Sequence, residues 1–87
     1  MPYIATEDRK RFENLVKSMH LTDIRCAGDL NYLITHLVHA FFSMEDKINY
    51  QKYNDAVGAL EGAKLELYRR FVGPYENTKI ESNGDVP

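Results

Sequence analysis

The sequence holds a single cysteine, Cys26, and no apolar run long enough to cross a bilayer. The first scarcity excludes an intramolecular disulfide, so stability has to come from packing or association. The second predicts a chain without a membrane partner. No charged-then-apolar leader is read at its start, and with one thiol this predicts a reducing, cytoplasmic setting. A basic excess is missing too, with 11 Lys and Arg against 13 Asp and Glu and the two signs interleaved. That pattern speaks against sequence-independent binding to duplex nucleic acid. It leaves open a small anionic ligand, which needs only two or three well-placed cations. Strand signals, internal repeats and low-complexity segments are also lacking, so no strand-to-helix phosphate loop is expected.

What is present is an apolar fraction of 44%, with six Tyr and four Phe, which is too rich for a disordered chain. The 87 residues provide for one domain, 1–87, with a modest core. Domains of this size without a disulfide or metal often complete their stability by associating, and a homo-oligomer is expected on that ground.

The periodicity predicts an all-α fold: a three-helix antiparallel bundle with a long C-terminal helix and an extended polar tail. The helices are expected at about residues 7–20, 30–44 and 50–72, and the tail at 73–87. Thr6 followed by Glu7 and Asp8 reads as a capped start, with Phe12, Leu15, Val16 and Met19 on one face. Asp29 reads as the cap of the second helix, whose stripe is Leu30, Leu33, Ile34, Leu37, Val38, Phe41 and Phe42. Asn49 caps the third, and Gly73-Pro74 is expected to stop it, Gly closing the turn and Pro being unable to continue the hydrogen-bond ladder. Within the third helix Gly58 and Gly62 each cost about 0.5–1 kcal/mol relative to Ala, which predicts a close approach there by the second helix, by a symmetry mate's third helix or by a flat ligand, ordinary helix packing being favoured.

Catalytic chemistry finds little footing. His36 and His39 lie three apart but no further ligand stands at a spacing that completes a metal site, so no metal is expected. Cys26 and Ser43 lack the surroundings of an activated nucleophile. Among the acids only Glu61 is placed as a helical hydrolase would need, against the several carboxylates that hold magnesium. The denser cluster is Lys64, Tyr68, Arg69, Arg70 and Tyr75. Arginine offers a forked donor to phosphate, and tyrosine a flat face with a hydroxyl. Taken singly, these are a helix C-terminus with its cations and packing rings. Taken with Tyr3 and Asn31 they suggest a binding surface for a ligand or a protein, since Tyr and Arg also anchor protein interfaces.

The phrases Met1-Pro-Tyr-Ile4, Gly28-Asp-Leu-Asn-Tyr32, Asn49-Tyr50, Gly58-Ala-Leu-Glu61, Lys64-Leu-Glu-Leu-Tyr-Arg-Arg70, Pro74-Tyr-Glu76, Lys79-Ile80 and Asn83-Gly-Asp-Val86 run through nearly the whole chain. In that combination they resemble a family of short helical proteins of long-uncharacterised function from bacteria and their viruses. Among small helical viral proteins, the type it looks like is the anti-CBASS sponge. That resemblance implies a bacteriophage protein of immune evasion: a homo-oligomer in the host cytoplasm that holds a cyclic dinucleotide between subunits without cleaving it. It supplies no ligand list residue by residue. The expected function is therefore non-enzymatic nucleotide binding without a cofactor. Lys64, Arg69 and Arg70 would meet phosphates, and Tyr3, Asn31, Tyr68 and Tyr75 would contact the ligand. The alternatives are a helical protein-interaction module or host-enzyme inhibitor on the same surface, and a metal-dependent nucleotide hydrolase.

Overall fold

The computed structural model describes residues 4–44 and 46–86. Among them all regular structure is helical, and they divide into two compact units, one ending at Ala56 and the other beginning at Val57. Tyr3 lies outside the described residues.

The first unit opens with Thr6–Arg9 (α1), a tighter 3-10 turn over Lys10–Phe12, and Glu13–His20 (α2). The capping position is taken by Ala5, not Thr6, and no side chain closes the end. Thr6 is already helical. The first amides turn back to the backbone instead, Asp8 and Arg9 both donating to the Ala5 carbonyl, while Arg9 Nε donates to the Ile4 carbonyl at 2.9 Å. Glu7 and Asp8 keep the favourable place of acids in a first turn.

The second helix, Ala27–Phe42 (α3), starts three residues earlier than its apolar stripe suggested. Cys26 is extended in the capping position, and Asp29 sits inside the first turn. From there its Oδ2 accepts the Arg25 backbone N–H at 3.0 Å, reaching back over the helix start as the acid of a capping box does. That backbone hydrogen bond, helped by the Cys26 side chain, holds the Asp29 carboxyl below its ordinary range. Asn49 behaves as its sequence context predicts: Oδ1 accepts the Lys52 N–H at 2.9 Å at the head of Tyr50–Leu67 (α4).

Packing in this unit centres on the return from α3 to α4. Phe42 and Tyr53 meet edge to face at 5.2 Å between centroids, and Lys52 Nζ lies 3.8 Å from the Phe41 ring centroid. Just beyond, Ala56 is the one hydrophobic side chain buried among the described residues. The apolar sides of α2 and α3 form an open groove of about 370 Å³ whose lining includes Leu15, Met19, Leu30, Leu33 and Leu37.

The second unit is helical from Val57 to Asn83. The expected stop at Gly73-Pro74, and with it an extended tail from residue 73, is not what the chain does. After α4 comes a π-helical turn, Tyr68–Val72, and then Gly73–Asn83 (α5), so that the helical run from Tyr50 is 34 residues long. Gly73 keeps right-handed dihedrals of −58° and −52°, and its N–H donates to the Tyr68 carbonyl, five residues back. This wider turn resets the ladder. Pro74 then stands at the head of α5, where a missing N–H costs little and its fixed φ suits a helix. The helix closes at Gly84, with φ of 85° and its N–H donating to the Ile80 carbonyl at 2.8 Å. The helical run therefore ends at Asn83-Gly84, not at Gly73-Pro74.

Within the chain itself a Cβ placed at Gly58 meets nothing within 4 Å. Gly73 is the tight position, because its Cβ would stand 3.1 Å from the Tyr68 carbonyl oxygen. Substitution should separate the two: Gly58→Ala gains about 0.5–1 kcal/mol from helix propensity alone, and Gly73→Ala loses that gain to the crowded π turn. Urea unfolding of the two variants measures the difference.

The Asp29 arrangement has a definite sign with pH. Because the folded carboxyl titrates below its unfolded value, its stabilising contribution is complete above the unfolded value and is lost as the pH falls through the folded one. Acid titration of the wild type should show this loss at the bottom of the carboxylate range. In Asp29→Asn that component of the acid profile should be absent.

Candidate functional site

Five of the seven residues singled out from sequence, Lys64, Tyr68, Arg69, Arg70 and Tyr75, fall on one continuous helical stretch of the second unit. Asn31 lies on α3 in the first unit, where its carbonyl accepts the Thr35 hydroxyl at 2.9 Å. Tyr3 is outside the described residues.

Within the stretch the organising group is Glu66. Its Oε1 accepts Arg69 Nη2 at 2.8 Å and Arg70 Nε at 2.7 Å, while Oε2 accepts Arg69 Nε at 3.3 Å. One carboxylate is thus held by two guanidiniums in charge-assisted hydrogen bonds. The carboxylate side chain is only 20% exposed, whereas those of Arg69 and Arg70 are 64% and 55% exposed. The arginines therefore shield the acid and remain reachable from solvent. Sequence reasoning missed Glu66, although its spacing of three and four residues from the two arginines is the helical signal for such pairs.

Lys64 pairs one turn earlier with Glu61, at 3.4 Å between exposed side chains. Tyr68 and Tyr75 are both exposed, and Lys79 Nζ lies 5.5 Å from the Tyr75 ring centroid. Residues two apart on a helix do not share a face, so Tyr68 and Arg70 look out on different sides. The cluster therefore consists of a guanidinium pair gathered on Glu66, with Tyr68 on a different side from Arg70 and Tyr75 beyond the π turn on the same helical stretch.

Elsewhere the aromatic ladder of α3 continues through Tyr32, His36 and His39, with ring centroids at 4.5 and 6.1 Å. Among the described residues no group of three or more His, Cys, Asp or Glu side chains is placed to hold a metal ion. No helix among them is long and apolar enough to cross a membrane.

Among the described residues these elements define a small all-helical protein whose polar feature of note is the Arg-Glu-Arg cluster at a π turn. Residues 1–86 match the family described as a domain of unknown function, DUF6899, and the chain belongs to that family. No curated protein and no solved structure matches it.

The exposed guanidiniums set an expectation for stability. Ion pairs of this kind contribute about 0–1 kcal/mol, so Arg69→Ala and Arg70→Ala should each shift the free energy of unfolding by less than about 1 kcal/mol. Denaturant titration of the single variants tests this, and a loss of several kcal/mol would assign the pair a structural role.

Proposed function

We propose that this protein is a non-enzymatic binding protein that sequesters an anionic nucleotide, of the cyclic dinucleotide class, through Arg69 and Arg70. The convergence of both guanidiniums on the Glu66 carboxylate is the observation that carries the reading. Two forked donors that share one carboxylate have the charge and spacing to share a phosphate oxygen set instead. The internal pair contributes little stability, so a ligand with higher charge exchanges with it at small cost.

Lys64 adds a third cation one turn away, and Tyr68 and Tyr75 offer faces for bases. Because Tyr68 and Arg70 face different sides of one helix, a ligand that engages both bridges two copies. A homo-oligomer of three-helix antiparallel units fits that requirement. In this reading the protein holds its nucleotide intact in the host cytoplasm, and the biological consequence is inhibition of CBASS-type anti-phage defence by withdrawal of its signal. The exposed apolar residues of both units favour a second reading, a helical protein-interaction module that uses the same surface.

A thermal-shift panel of cyclic di- and trinucleotides tests the leading reading, since a ligand bound only by the folded protein raises Tm by mass action. One or more members should raise Tm, and the ligand should be recovered unchanged after incubation with magnesium. Arg69→Ala combined with Arg70→Ala should abolish the shift. Glu66→Gln should enlarge it, because the competing carboxylate is gone. A flat response across the panel overturns the nucleotide reading, and a cleaved ligand overturns the absence of turnover.

A further inference from the structure

Lys79 is the cation beside Tyr75 that the nucleotide reading does not use. It lies on α5 four residues past Tyr75, the spacing at which two side chains of a helix meet on one side. The meeting is made: Nζ stands 5.5 Å from the Tyr75 ring centroid, and both residues are exposed. That distance is close to the outer limit of a cation–π contact, so the ammonium is held loosely and can turn to a stronger acceptor.

Whether this pair belongs with the arginines is decided by the turn between them. In an uninterrupted helix Arg70 and Tyr75, five residues apart, would stand about 140° from each other and serve different sides. Over Tyr68–Val72 the hydrogen bonds reach back five residues, with the Gly73 N–H on the Tyr68 carbonyl. Residues five apart across such a turn approach the relation that residues four apart have in a regular helix. Arg70 lies inside the turn and Tyr75 just beyond it, so the lost winding carries the ring toward the side of Arg70. Two residues fit this turn that suit a regular helix poorly. An added Cβ at Gly73 would crowd the Tyr68 carbonyl oxygen at 3.1 Å, and the Pro74 ring would press on the Arg70 carbonyl if the ladder were regular. All of these groups lie in the second unit, so their relation is internal to it.

We propose that the π turn assembles one ligand face from Arg70, Tyr75 and Lys79, in which Lys79 is a second phosphate donor, the free side of the Tyr75 ring takes a base, and Pro74 is the positioning residue that holds the turn. This face rests on the nucleotide reading and adds a residue to it.

Calorimetric titration of the full chain with cyclic di-AMP and cyclic di-GMP tests it, alongside a through-hydrogen-bond NMR coupling that identifies the carbonyl facing the Gly73 amide. Lys79→Gln should weaken binding about tenfold, the order of one charge-assisted hydrogen bond, and leave the coupling on Tyr68. Pro74→Ala should move the coupling to Arg69 and weaken binding by a similar factor. Removing Phe71 from the Pro74→Ala chain sets Arg70 and Tyr75 four residues apart and should restore affinity, which a merely structural role for Pro74 would not do. Unchanged affinity in Lys79→Gln overturns the role of Lys79, and this exposed substitution decides even if the helix variants fail to fold. A Pro74→Ala chain that changes register yet binds like the wild type overturns the shared face, and one that keeps the Tyr68 coupling overturns the part given to Pro74. A wild type that binds neither probe overturns the nucleotide reading and this face with it, whereas a wild type that binds while its variants bind equally well overturns this face alone.

Discussion

Burial is the constraint from which the other features of this chain follow. Nearly half of its residues are apolar, yet among the described ones the only hydrophobic side chain withdrawn from water is Ala56. Apolar surface contributes about 25 cal/mol for each Å² taken out of water, and a folded chain needs most of that contribution to offset its lost conformational entropy. The helices here are formed and ordered by local means: the Asn49 side-chain cap, the Asp29 carboxylate folded back on Arg25, and the Phe42–Tyr53 ring contact. Those devices fix where helices begin and how α3 returns to α4. They leave Leu30 and Leu37 of the α3 stripe more than half exposed.

The legible parts of the fold were those determined by neighbours in sequence. The stripe from Leu30 to Phe42 and the Asn49 cap depend on residues within one or two turns, and they read directly. Pro74 did not. The rule that proline ends a helix assumes an unbroken four-residue ladder, and the hydrogen bond from Gly73 to Tyr68 removes that assumption. Gly58 marks a different limit. A glycine in a helix announces that something could come near, but whether it does depends on what lies alongside, which no local pattern records.

The polar cluster shows the same division. Arg69, Arg70, Tyr68 and Tyr75 were visible as residue types suited to phosphate and base. Their grouping was not, because it is made by Glu66, an acid that in sequence looks like any other on a charged helix. Spacing alone would have found it. What spacing cannot give is the contrast in exposure between the shielded acid and the open arginines.

The π turn also has a geometrical consequence. A widened turn is the equivalent of one extra residue slipped into a regular helix, and everything beyond it is rotated by about a quarter of a revolution relative to an uninterrupted rod. Tyr75, Lys79 and Ile80 owe their azimuth to that offset. Regularising this turn at unchanged length would swing all three to a new bearing. Deleting a single residue between Tyr68 and Val72 would instead leave a continuous rod with all three close to where they stand now, so the widened turn and its extra residue together set which surface the C-terminal helix presents.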